Sequence, residues 1–134
     1  MSRLLLDTSA YSAMRRGDRR LLEPIREAAE ICLSAVVVGE LVYGFVGGRL
    51  EAPNRGQLRE FLESDRVRVV AVDEETAERY AVIRDFLRRK GTPIPTNDLW
   101  IAASAAQHGL KLLSLDGHFK EVPQILLEYF EPTT

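Results

Sequence analysis

Cysteine is almost absent from this chain: Cys32 stands alone among 134 residues. A disulfide framework within the chain is thereby excluded, and a reducing cytoplasm is the expected setting. Cys32 lies in the apolar run Ile31-Cys32-Leu33 and is expected to pack as a small hydrophobe. Long apolar runs are lacking too. None approaches the roughly 20 residues of a membrane span, and no secretory leader stands before the first apolar stretch. The two histidines, His108 and His118, are not paired by anything in the sequence. A histidine acid–base pair for metal-free phosphodiester cleavage therefore has no basis. Neither Gly-x-Gly-x-x-Gly nor a P-loop occurs, which excludes the nucleotide-binding folds that need them. Excess positive charge is also missing. A net charge of −2 argues against holding nucleic acid by bulk electrostatics.

What is present is an ordinary globular composition, 46% hydrophobic and 28% charged, suited to a single domain over residues 1–134. Short apolar runs at residues 4–6, 31–33, 67–72, 110–115 and 125–129 read as strands. Between them, helices are expected over 10–16, 19–30, 35–46, 53–63, 74–90 and 98–106. Pro24 kinks or restarts the second of these, whose inner face is expected to carry Leu21, Leu22 and Ile25. Asp73 is a natural N-cap for the fifth, which should turn Ala77, Tyr80, Ile83 and Leu87 inward and stop at Gly91. Alternating strands and helices predict an α/β architecture with a doubly wound parallel sheet.

Four carboxylates fall at comparable places in that alternation. Asp7 and Asp116 end the first and fourth strands, Glu40 lies just over one turn into the helix after the second strand, and Asp98 opens the small-residue helix. Ligands gather at the carboxyl ends of strands in such sheets, so all four are expected at one edge. Like charges brought together repel unless a cation binds them. Hard oxygen ligands without cysteine or paired histidines select Mg²⁺ or Mn²⁺ over Zn²⁺. Each acid has a structural alternative: Asp7 and Asp98 can cap helices, and Asp116-Gly117 is a common turn pair. Four such coincidences at one edge are harder to accept than a site. With these acids assigned to a cation, the rest of the chain turns net positive. Arg15-Arg16, Arg19-Arg20 and Arg88-Arg89-Lys90 then become candidate phosphate contacts, although each cluster alone reads as a solvated helix end.

The helix expected over 35–46 is apolar almost all round, with Glu40 its one charge. Such a helix is expected to bury its outer face, including Tyr43 and Phe45, against a second copy or another protein. A receiver-type phosphoacceptor would need paired acids after the first strand, and a haloacid-type phosphatase would need Asp-x-Asp there. Asp7-Thr8-Ser9 supplies neither.

The blocks Asp7-Thr8-Ser9, Ser34-Ala35 with Val38-Gly39-Glu40-Leu41, Pro95-Thr96-Asn97-Asp98-Leu99-Trp100-Ile101-Ala102-Ala103, and Leu115-Asp116-Gly117-His118-Phe119 resemble the signatures of PIN-domain proteins. More narrowly, they resemble the VapC toxins of prokaryotic toxin–antitoxin pairs. The resemblance spans nearly the whole chain. It implies a three-layer α/β/α sandwich around a central parallel sheet, Mg²⁺- or Mn²⁺-dependent endoribonuclease activity, a homodimer, and neutralisation by a VapB-type antitoxin. It also implies that Asp7, Glu40, Asp98 and Asp116 are the catalytic, metal-holding acids, with Thr8, Ser9 and Asn97 supporting them. Cleavage of cellular RNA by a metal-activated water would leave 5′-phosphate and 3′-hydroxyl ends. One position departs from many PIN domains: His118 replaces a further acid, and it is read as structural or substrate-facing rather than as a ligand. The competing expectation is a catalytically silent PIN-fold module that only binds partners. The presence of all four acids counts against it.

Overall fold

The computed structural model describes residues 2–133. Its elements are β1 (Arg3–Leu6), α1 (Thr8–Arg15), α2 (Arg19–Glu27), β2 (Glu30–Ser34), α3 (Ala35–Phe45), α4 (Glu51–Leu62), β3 (Val67–Val70), α5 (Glu74–Lys90), α6 (Thr96–His108), β4 (Lys111–Ser114) and β5 (Leu126–Tyr129). A 3-10 helix, Gly117–Glu121, links the last two strands. The five strands form one sheet in the order β3-β2-β1-β4-β5, and every pairing is parallel. This is the expected α/β/α sandwich.

β1 runs through the middle because its three leucines, Leu4, Leu5 and Leu6, are buried completely, as a strand covered on both faces requires. The first half of the chain builds outward from β1 to β3, and the second half builds the other way through β4 to β5. The direction therefore reverses between β1 and β4. That reversal opens a crevice at the carboxyl ends of these two strands, where open α/β sheets bind ligands.

Local signals account for most boundaries. Asp73 and Thr76 form a reciprocal capping box at the start of α5, and Gly91 ends it in the left-handed conformation that glycine adopts without strain. The small side chains of α6, Ala102, Ala103, Ser104 and Ala105, are fully buried and let the helix lie close to its neighbours. Cys32 is buried, and burial pushes its thiol up to about 11, consistent with a packing role.

Several expectations need correction. Thr76, not Ala77, is the buried residue in the first turn of α5, because the capping box turns its hydroxyl inward to Asp73 and Gln107. Leu22 is 39% exposed; α2 ends at Glu27, and Leu21 and Ile25 carry its inner face. β3 stops at Val70. α4 begins two residues before Pro53, which the first turn of a helix accommodates since no N–H is needed there. α6 begins at Thr96, with Pro95 in the capping position. Asp98 is therefore inside the first turn and is not the cap. Among the described residues, no helix is long and apolar enough to cross a membrane.

Candidate active site

Asp7 leaves β1 at the crevice and serves two purposes at once. It is the N-cap of α1, its Oδ1 accepting from the Ala10 N–H at 2.8 Å, and it is 4% exposed on the floor of a cavity. The same Oδ1 accepts the Ser9 hydroxyl at 2.7 Å, and Oδ2 accepts the Ser114 hydroxyl at 2.6 Å. Both serines also accept from the backbone just after β4: Ser9 Oγ from the Leu115 N–H at 2.9 Å, and Ser114 Oγ from the Asp116 N–H at 2.8 Å. Two hydroxyls thus lace the ends of β1 and β4 together. Burial pushes the Asp7 carboxyl above its usual range despite these donors, and the nearby Asp116 charge adds to the effect.

Asp116 follows β4 and caps the 3-10 helix, its Oδ1 accepting from the His118 N–H at 2.9 Å. The capping reading for Asp7 is thus correct as geometry, Asp116, read as part of a turn pair, is also a cap, and both are compatible with a site, since a carboxylate has further lone pairs to offer. Glu40 reaches the crevice from α3. Its Oε1 accepts the Thr8 hydroxyl at 2.7 Å, and its Oε2 accepts the Asn97 amide at 3.1 Å. Thr8 and Asn97 therefore orient Glu40, whereas Ser9 orients Asp7. One cavity of about 260 Å³ is lined by Asp7, Glu40, Asp98 and Asp116, together with Thr8, Ser9, Ser12 and Ile101.

His118 is closer to the acids than its sequence reading suggests. Its Nδ1 lies 3.1 Å from Asp98 Oδ2 and 2.9 Å from Asp116 Oδ1, in polar contact with both. One donor atom from each of Asp98, Asp116 and His118 falls within 4.8 Å of the others. A compact set of hard oxygens with one imidazole, in a pocket where burial already raises two carboxyls, fits a divalent cation.

The Asp98 carboxyl is pushed up to about 6 by burial and then by the Asp116 charge. Its ordinary value is 3.8, so between about pH 4 and 6 the folded chain holds a proton that the unfolded chain has released. Metal-free stability should therefore fall as pH rises through that window, with Asp7 acting in the same direction. Discounted for partial exposure, the Asp98 contribution is on the order of 1 kcal/mol. Urea unfolding in EDTA at a series of pH values measures it, and Asp98→Asn should flatten the slope.

Ser114 and Ser12 were missed in the sequence. Ser114 falls inside the apolar run at 110–115, where nothing local marks it; only the pairing of β1 with β4 brings it to Asp7. Its loss has a measurable cost. Ser114→Ala removes a buried donor to a carboxylate and should destabilise the metal-free protein by about 1–3 kcal/mol in denaturant unfolding. An unchanged midpoint would mean that the hydroxyl does not tie the strands.

Comparison with known proteins agrees with this geometry. The PIN domain profile matches residues 4–125. Ribonuclease VapC4 from Mycobacterium tuberculosis is 29% identical over 124 residues, covering 92% of this chain and 93% of that protein. Ribonuclease VapC2 from Haemophilus influenzae is 30% identical, covering 85% and 86% respectively. The crystal structure of VapBC2 from Rickettsia felis, bound to a DNA fragment from its promoter, superposes with a TM-score of 0.84 at 26% identity, over 96% of this chain and 98% of that one. With its reversal crevice, its four converging acids and these relatives, the chain belongs to the PIN domain family, among the VapC proteins.

Proposed function

We propose that this protein is an endoribonuclease of the VapC type, a toxin that cleaves RNA, is neutralised by a VapB-type antitoxin, and depends on Mg²⁺ or Mn²⁺. The observation that carries this reading is the convergence of Asp7, Glu40, Asp98 and Asp116 on one cavity at the strand-order reversal. These four acids would hold the cation, with His118 beside Asp98 and Asp116. When bound, a hard divalent cation supplies charge neutralisation for the phosphodiester and acidifies an attacking water.

The chain's own residues supply placement. Ser9 and Ser114 fix both oxygens of Asp7, and Thr8 and Asn97 fix both oxygens of Glu40, so these two acids reach the substrate already oriented. The Asp98 carboxyl is pushed up to about 6, and a bound cation would displace any proton it holds. The expected products carry 5′-phosphate and 3′-hydroxyl ends. End-labelling of cleaved RNA checks this, and 2′,3′-cyclic phosphates that form in EDTA would refute the hydrolytic route.

Partner binding has its own surface. α3 leaves Tyr43 82% and Val46 56% exposed, and Leu50 just beyond it 60% exposed. Beside them, Val38 and Val42 of α3 and Leu58 and Leu62 of α4 form an apolar groove of about 270 Å³, rimmed by Arg55 and Arg59. Phe45 is half-buried within its own chain and contributes less than the sequence suggests. This is the surface we assign to an antitoxin segment or to the second copy of a homodimer.

A further inference from the structure

An acidic cavity must hold a polyanion, and the cation within it accounts for only one phosphate. Strand phosphates to either side still face Asp7, Glu40, Asp98 and Asp116, so binding needs positive charge fixed on the rim. Several of the chain's basic side chains are already engaged. Arg20 is clamped by both Asp18 oxygens and the Glu131 carbonyl, and Arg88 and Arg89 pair with Asp85. Lys90 pairs with Glu121, and Lys111 with Glu128. Lys120 differs. Among the described residues it has no carboxylate within ion-pair reach, and it is exposed.

Its position is nevertheless fixed. Phe119, fully buried, anchors the 3-10 helix, with His118 before it turned to the acids and Lys120 after it set over the Tyr129 ring, Nζ 4.0 Å from the centroid. Tyr129 pairs in register with Ser114, the residue that bonds Asp7. The Tyr129 hydroxyl reaches Gly117, lying 3.9 Å from where a Cβ would stand on the residue next to Asp116. It also donates to Glu131 Oε2 at 3.5 Å. A ring face attracts an ammonium without neutralising it, so the lysine is held in place with its charge intact.

We propose that Lys120, seated on Tyr129 in the 3-10 segment that Asp116 caps, binds a backbone phosphate of the substrate strand flanking the one that is cut. This rests on the nuclease reading given above. Such a contact is indifferent to base identity and acts on binding, not on the bond-breaking step.

The test is cleavage of a single-stranded oligoribonucleotide in Mn²⁺ across a salt series, with parent, Lys120→Ala, Lys120→Arg and Tyr129→Leu. Lys120→Ala should raise KM severalfold, leave kcat within about twofold, and shallow the salt dependence of kcat/KM by about 0.7 on a log–log plot. Lys120→Arg should restore the slope, and Tyr129→Leu should weaken binding in the same way if it folds. Unchanged KM and slope in Lys120→Ala would overturn the proposal, as would a fall in kcat at constant KM. Should the parent not cleave, the nuclease reading falls separately. Anisotropy of the same labelled oligonucleotide in Mn²⁺ then decides the lysine alone: a shallower slope in Lys120→Ala supports the contact, and equal slopes or no binding overturn it.

Discussion

Asp116→Asn should fold normally and cut RNA at least about a hundredfold more slowly than the parent. Asparagine keeps an oxygen for the His118 N–H, so the cap of the 3-10 helix survives while the charge is lost. Asp98→Asn should behave likewise, since Asp98 is not a cap and its removal relieves repulsion from Asp116. In EDTA both variants should melt no lower than the parent. The parent should then gain stability with Mn²⁺ as RT ln(1 + [L]/Kd), about 2.7 kcal/mol at a hundredfold excess over Kd, and the variants should lose most of that gain. Asp7→Asn is the less clean choice. Both Asp7 oxygens accept from buried donors, and an amide in that place leaves the Ser114 proton without its acceptor. Full activity in Asp98→Asn and Asp116→Asn, with no metal-dependent shift in the parent, would reduce the acids to structural roles.

Tyr43→Ala should weaken association with the partner about thirtyfold, the effect of removing an interface anchor worth about 2 kcal/mol. Tyr43 is 82% exposed, so its truncation should leave the melting temperature of the isolated chain nearly unchanged. Light scattering of the purified chain gives the oligomeric state, and calorimetric titration with the product of the neighbouring reading frame gives the affinity. A monodisperse monomer that binds no such partner would refute the docking surface. Weakened binding together with a lowered melting point would point instead to a folding defect.

The sheet and its polarity were legible because buried parallel strands write themselves as uninterrupted apolar runs, as in Leu4-Leu5-Leu6. The convergence of the acids followed from the same regularity, since strand ends in a parallel sheet share an edge. What stayed hidden depends on pairings between distant strands. The hold of Ser114 on Asp7 spans 107 positions in the chain, and nothing local to either residue announces it. His118 illustrates the same limit. Its sequence neighbours place it after a turn, but the direction of its ring is set by the burial of Phe119 beside it. The start of α6 was misplaced for a local reason: Asp98 is a good cap by residue type, yet Pro95 already supplies the extended residue from which the helix departs.

The lacing of β1 to β4 by Ser9 and Ser114 bears on how such a protein can be switched off. Asp7 and Asp116 stand at the ends of adjoining central strands, and Asp7 is itself buried. Pulling them apart would break the hydroxyl bridges and the sheet with them, at a cost comparable to unfolding. An inhibitor therefore has little to gain by deforming the site and must work by covering it or by offering its own charge to the acids. Latency of this kind leaves the catalytic geometry intact, so activity should return as soon as the inhibitor is degraded, without a refolding step.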